Sequence, residues 1–277
     1  MECPFPGPPP LVMSSYTLGT GVPFAERVAA AGAAGFDGIG LRVEDYADAR
    51  AAGLDDAAMR ALAAERGVAV REVEYVTGWG DPTDPAVADR ERAVLHMARA
   101  FGVAHVNAGL LEKLPVEAVT AAYAGLCDRA GPEVAVALEF MPYSGVPDLA
   151  TAWQVVRDAG RPNGALLVDV WHWARAGTTA ADLAAVPAER IVAVQLCDVR
   201  AEPMAQARAE SLGHRLPPGQ GFGDAVGMVR ALARHGVAPR IVAVEVISDA
   251  QVARGVRAAA LVSADAARDV LRRAGPV

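Results

Sequence analysis

Four apolar runs in this sequence end on an oxygen-bearing side chain: VAVALE at Glu139, ALLVD at Asp169, RIVAVQ at Gln195 and RIVAVE at Glu245. Runs of this kind suit buried strands, and a polar group at the end of one needs a partner. Three carboxylates brought together repel one another unless a cation holds them, and an all-oxygen donor set prefers a hard divalent ion. Mn²⁺ or Mg²⁺ fits such a set best, with Co²⁺ or Zn²⁺ as alternatives. A divalent ion holding a hydroxy-carbonyl fragment makes the neighbouring C–H more acidic, and a carboxylate beside it can take the proton. Returning the proton to the other face epimerises, returning it to the next carbon isomerises, and expelling a β-hydroxyl dehydrates.

These residues can converge only if the four runs are neighbours in one sheet. Six junctions, AAGFDGIGLRV, ERGVAVREVEY, AFGVAHVNAGL, RAGPEVAVALEF, DAGRPNGALLVDV and RHGVAPRIVAVEV, place a Gly after a helical segment and an apolar run shortly beyond it. Gly accepts the left-handed conformation that closes a helix, so each reads as a helix-to-strand junction. With LVMSSYT and RIVAVQLCD the count reaches eight strands, separated by helices roughly over 23–34, 55–66, 85–101, 116–130, 147–160, 179–186, 222–235 and 253–273. The pattern predicts one α/β domain, a (β/α)8 barrel over 1–277 with a Pro-rich extension at 1–10. Its active site is expected at the C-terminal strand ends. A doubly wound sheet is the alternative, but no GxGxxG follows the first strand.

Composition bounds the partners. A net charge of −7 among 277 residues argues against a nucleic-acid backbone or an anionic membrane surface, and no apolar run is long enough for a membrane span. Cys3, Cys127 and Cys197 are too few and scattered for a disulfide framework or zinc cluster, which fits a reducing cytoplasm. The start, MECPFPGPPP, lacks the features of a signal peptide. The expected partner is a small polyol or sugar-like molecule, and homo-oligomers are allowed.

Glu139 in LEF, Asp169 and His172 in LLVDVWHWARAG, Gln195 and Asp198 in VQLCD, and Glu245 in VEV resemble the sugar phosphate isomerase/epimerase superfamily, the xylose-isomerase-like barrels of the AP endonuclease 2-like fold. The resemblance spans nearly the whole chain. It implies that Glu139, Asp169, Gln195 and Glu245 bind a divalent metal and that Glu139 and Glu245 act as acid and base. It also places His172 in the pocket, where an imidazole can shuttle a proton. Epimerases of this superfamily often carry His at the third ligand position; Gln195 there is similar to the 3-dehydroshikimate dehydratase branch, and an amide oxygen is an acceptable hard ligand.

The longest connection, AEPMAQARAESLGHRLPPGQG at 201–221, reads as a substrate lid in which Arg208, His214 and Arg215 meet an anionic or polar group. Its segment from Arg215 to Gly221 resembles the family's R-x-x-P-G-E-G, with Gln220 in place of Glu. Trp171, Glu74 and Asn107 are further candidates for substrate contact; Glu72 and Glu74 share a strand face and either line the pocket or pair with Arg42 and Arg71. Trp79 and Tyr143 are candidate walls, and His96, His105 and His235 read as helix or strand-surface residues. The sequence therefore points to a divalent-metal-dependent isomerase or epimerase of a sugar-like substrate. Alternatives are a dehydratase of a cyclic hydroxy-ketone, similar to 3-dehydroshikimate or inosose dehydratase, and a non-catalytic barrel or a subunit needing a partner. A several-zinc DNA-repair nuclease needs more histidines than these five.

Overall fold

A computed structural model describes residues 3–276. Eight parallel strands close into a barrel in sequence order, β1 Leu11–Met13, β2 Gly38–Arg42, β3 Ala69–Val76, β4 His105–Ala108, β5 Ala135–Glu139, β6 Gly164–Asp169, β7 Ile191–Leu196 and β8 Ile241–Val244. Closure is made by β1 on β8, with Val12 opposite Ala243. The protein is thus a single (β/α)8 barrel, and the open doubly wound sheet is excluded.

Helices α1 Phe24–Ala33, α2 Val43–Ala51, α3 Asp56–Ala64, α4 Pro85–Phe101, α5 Val116–Ala130, α6 Leu149–Ala159, α7 Val170–Ala176, α8 Ala207–Gly213, α9 Ala225–Arg234, α10 Asp249–Val252 and α11 Val256–Ala274 lie in the connections. Several begin on an acid whose side chain accepts a backbone N–H of the first turn, Asp55 for α3, Asp84 for α4 and Asp148 for α6. Gly102 and Gly160 close α4 and α6 in the left-handed conformation that the junction motifs anticipate. The segment expected as a helix at 179–186 is instead a 3-10 helix, Ala180–Ala185, opened by a Thr179–Asp182 capping box and closed before Pro187. The helices α2, α7, α8 and α10 are not legible in the sequence, because VEDYADARA in α2 has no apolar face and the other three, of two turns or fewer, carry too little apolar periodicity to be read.

The barrel interior is filled unevenly. Toward the N-terminal ends of the strands it holds small and branched side chains, Val12, Ala135, Ala137, Ala165, Val192 and Ala243 among them, all buried. Higher in the lumen the inward residues become polar. His105, expected at a surface, is buried on β4 with its Nε2 unpartnered, and burial beside Arg240 pushes its pKa down to about 4. Of the Pro-rich start, Phe5 packs into the core; Met1 and Glu2 lie outside the described residues.

Candidate active site at the C-terminal rim

The strand ends deliver the expected residues to one place. Asp169 and Gln195 are direct register partners on β6 and β7, while Glu139 closes β5 and Glu245 follows β8. Asp169 is also the N-cap of α7: its Oδ1 accepts the backbone N–H groups of Trp171 at 2.8 Å and His172 at 3.1 Å. This fixes the carboxylate and turns His172 over the rim, where its Nε2 lies 3.4 Å from Glu139 Oε1. Glu139, Asp169 and His172 each offer an atom within 4.8 Å of the others, a spacing suited to a cation.

Arg215 stands at the centre rather than on a mobile lid. An antiparallel bridge between Asp198 and Leu216 folds the long connection back onto the barrel, and Arg215 N–H donates to Ile247 O at 3.1 Å. Its buried guanidinium spans two strand ends, Nη1 donating to Asp169 Oδ2 at 3.1 Å and to Glu245 Oε2 at 2.9 Å, while Nε donates to Ser211 O. Gln195 Nε2 lies 3.3 Å from Glu245 Oε1 and 3.4 Å from Glu72 Oε1, and Asn107 Nδ2 donates to that same Glu72 oxygen at 2.7 Å. Ser14 Oγ stands between Glu74 and Glu245, 3.1 Å and 3.4 Å from their carboxylate oxygens.

Five acids, Glu72, Glu74, Glu139, Asp169 and Glu245, therefore meet in a volume where Arg215 is the one guanidinium bridging them. Burial holds all five above the ordinary carboxylate range; Glu139 is raised further by Glu245 and Asp169, and Glu74 by Glu72 and Glu245. Glu245 is pushed up to about 7 by burial, against the pull of Arg215. His172 is held well below its usual range by burial and by Arg215, so its ring is neutral. Glu139 Oε1 and Gln195 Oε1 are buried with no hydrogen-bond partner among the described residues. Unpaired buried oxygens cost free energy, and two of them beside surplus acid fit a hard cation as their missing partner.

The pocket above this floor has a cavity volume of about 50 Å³. Tyr16, Tyr75, Met141, Tyr143, Leu212 and Ile247 form its walls, and Glu74 and Asn107 join the strand-end set on its floor. Trp171 lies behind it, fully buried and edge-on to His172. Arg208 and His214 are exposed on and just after α8 and do not line this pocket. Gln220 is exposed as well, and Trp79 is buried with Nε1 donating to Gly109 O. Arg42 pairs with Asp45 rather than with either β3 glutamate, and Arg71 donates to Asp37 O.

Glu72, expected either to line the pocket or to pair with an arginine, is fully buried and does not line the pocket, and GIGLR holds a signal for that depth. Gly40 faces Glu72 across β2 and β3, and a Cβ there would meet Glu74 Oε1 at 1.8 Å. Glycine opens the space that two adjacent glutamates fill.

The fold has many solved counterparts. The IOLI protein, crystallised with a bound zinc atom, superposes with a TM-score of 0.86 over 97% of this chain and 100% of its own, at 17% identity. D-allulose 3-epimerase from Methylomonas sp., in complex with D-allulose, gives 0.71 over 99% and 100% at 18% identity. The probable 3-DHS dehydratase AsbF from Bacillus anthracis gives 0.74 over 94% and 98% at 10% identity. At these identities the likeness is one of fold, and no curated protein matches the sequence. The family model described as xylose isomerase-like TIM barrel matches residues 28–273, and the chain belongs to that family.

Proposed function

We propose that this protein is a divalent-metal-dependent isomerase or epimerase acting on a sugar-like hydroxy-carbonyl compound. The observation that carries the reading is the pair of unpartnered buried oxygens, Glu139 Oε1 and Gln195 Oε1, set among acids that outnumber the guanidinium bridging them. Glu139, Asp169, Gln195 and Glu245 would hold the metal, with His172 adjoining. The zinc in the IOLI structure and the sugar in the allulose epimerase structure support the same reading. When bound, the metal supplies Lewis acidity that acidifies the C–H next to a substrate carbonyl.

The chain's own residues supply the rest. Glu139 and Glu245 line one pocket and are the candidates to remove and return the proton. Glu245, within reach of the Ser14 hydroxyl, is placed to take a proton and to return it. Arg215 orients Asp169 and Glu245 together and points a second nitrogen toward Ser211 Oγ at 3.0 Å, so it sets the spacing across the site. The neutral ring of His172 offers substrate one donor or acceptor without adding charge. Tyr75, Tyr143 and Met141 line the pocket and would shield the reacting carbon from water.

The test pairs metal binding with a substrate screen. Calorimetric titration with Mn²⁺ should find one site per chain, and none in Glu139→Gln. Ketoses, inososes and 3-dehydroshikimate are then incubated with loaded protein in D₂O. A deuterated product of unchanged formula supports the isomerase or epimerase reading. A dehydrated, ultraviolet-absorbing product replaces it with the lyase; no Mn²⁺ binding removes the metal-dependent reading altogether.

A further inference from the structure

The polar pocket does not end at its own walls. Beyond Tyr16, Leu212 and Ile247, which it shares, lies a second cleft of about 510 Å³, open to solvent and continued by Val252 and Ala253. Leu212 on α8 and Val252 on α10 are 47% and 44% exposed, two of the five large hydrophobic side chains left exposed among the described residues. Both face this one cleft. Water-exposed apolar side chains flanking a polar pocket mark a place where apolar surface is meant to be covered.

The charges around the cleft narrow what covers it. Arg42 is the one cation among its lining residues, and it is committed to Asp45 at 2.8 Å and to Gly19 O at 3.0 Å, with its guanidinium over the Tyr16 ring. Asp249 adds an exposed carboxylate to the lining. A phosphate would meet an acid and an already paired arginine, so the arrangement disfavours a phosphorylated tail. Val252 packs its side chain on Gly19, where a Cβ would stand 2.9 Å from Val252 Cγ2. The cleft adjoins the pocket that holds the proposed chemistry across the shared walls Tyr16, Leu212 and Ile247, so an occupant anchored at Glu139 and Glu245 has only these side chains to pass to reach it.

We propose that Leu212, Ile247 and Val252 form an apolar subsite that binds an uncharged hydrocarbon or aryl group attached to the hydroxy-carbonyl head of the substrate. This rests on the metal-dependent reading of the rim and narrows it, from sugars in general to unphosphorylated hydroxy-ketones that carry an apolar substituent.

The probes are Mn²⁺ and a series of 1-hydroxy-2-alkanones from three to eight carbons, titrated by calorimetry into Mn²⁺-loaded protein. Affinity should rise by roughly two- to fourfold per added methylene as the tail enters the cleft. Val252→Asp should flatten that rise while leaving Mn²⁺ affinity and hydroxyacetone affinity unchanged, and Leu212→Asp should flatten it too. Chain-length-independent affinity in the natural protein overturns the proposal, as does a rise that persists in both variants or the failure of every ketone to bind loaded protein. Loss of self-association in the variants, without any chain-length effect, overturns it in favour of a second copy as the occupant. Absence of Mn²⁺ binding is a distinct result: it removes the metal reading on which the subsite depends.

Discussion

Two buried arginine clusters lie at the same end of the barrel and differ in how completely they are satisfied. Past the C-terminal ends of β1 and β2, Arg27 donates to Asp45, Ser15 O, Gly19 O and Val22 O, and Arg42 binds both oxygens of Asp45. Two cations there share one carboxylate and several backbone carbonyls as acceptors, and Ser15 Oγ donates to the carboxylate as well. At the rim of β5 to β8 the proportions are reversed. Arg215 bridges Asp169 and Glu245, further acids crowd behind them, and oxygens of Glu72, Glu139 and Gln195 have no partner. A saturated ion cluster fixes backbone ends; an unsaturated one of similar burial holds a place for something that arrives later.

The contrast breaks most sharply on the rim. Glu139→Gln or Glu245→Gln should lower kcat/KM by roughly a thousandfold or more and abolish Mn²⁺ binding, with the fold retained by circular dichroism. Asp45→Ala should do the opposite, costing about 3–5 kcal/mol in denaturant unfolding because it strands two buried guanidinium groups. If the rim variants unfold and Asp45→Ala does not, the two roles have been assigned the wrong way round.

Arg215 stands between the two cases, and its variants sharpen the comparison. Arg215→Ala should lower kcat/KM by about 10- to 1,000-fold. Arg215→Lys should recover little of it, since an ammonium cannot reach Asp169, Glu245 and Ser211 together from one planar fork. Recovery by lysine would reduce Arg215 to a point charge.

A smaller effect is expected one layer down. The Gln195 amide turns its nitrogen toward Glu72 and Glu245, which leaves the oxygen for a cation. Glu72→Gln removes one acceptor and should weaken Mn²⁺ binding by about 10-fold, the scale seen when a group that orients a ligand is lost. Unchanged affinity would show that Glu72 does not orient the amide.

The smallest expected change is a pH dependence of stability. Glu245 has its pKa raised from an ordinary 4.5 to about 7, so the metal-free folded state binds this proton more tightly than the unfolded chain. Its contribution is full below the ordinary value and is lost as pH rises through about 7. The Tm of metal-free protein should therefore drop by a few degrees between pH ~5.5 and pH ~8, and Glu245→Gln should flatten that drop. A slope unaffected by this substitution would place the responsible group elsewhere.

Much of the rim was legible because it is written at strand ends. Glu139, Asp169, Gln195 and Glu245 each follow a run whose burial is forced by composition, and the barrel's parallel order brings those ends together. What lies inside the barrel was less legible. A barrel strand is covered on both faces, so the alternation that marks an inward residue fades: in β3, Glu72, Val73 and Glu74 are all buried. His105 was placed on a surface for the same reason. Spacing within the long connection could not tell Arg208 and His214, which face solvent, from Arg215, which does not. That distinction is made by the Asp198–Leu216 bridge, a contact between residues 18 positions apart that no local pattern announces.

That bridge changes how the molecule can diversify. Connections after barrel strands are the parts most readily lengthened, shortened or exchanged, because a change of length there leaves the sheet untouched. Here the connection after β7 is tied to β7 by Asp198, to the segment after β8 by the Arg215 and His214 backbones, and through the Arg215 side chain to Glu245. Inserting or deleting a residue between Gly213 and Leu216 would displace the guanidinium from both strand ends at once. New specificity in this lineage is thus expected to come from side-chain replacement on the outward surface of α8, at positions such as Arg208 and Leu212, while the length of the segment behind them is held constant.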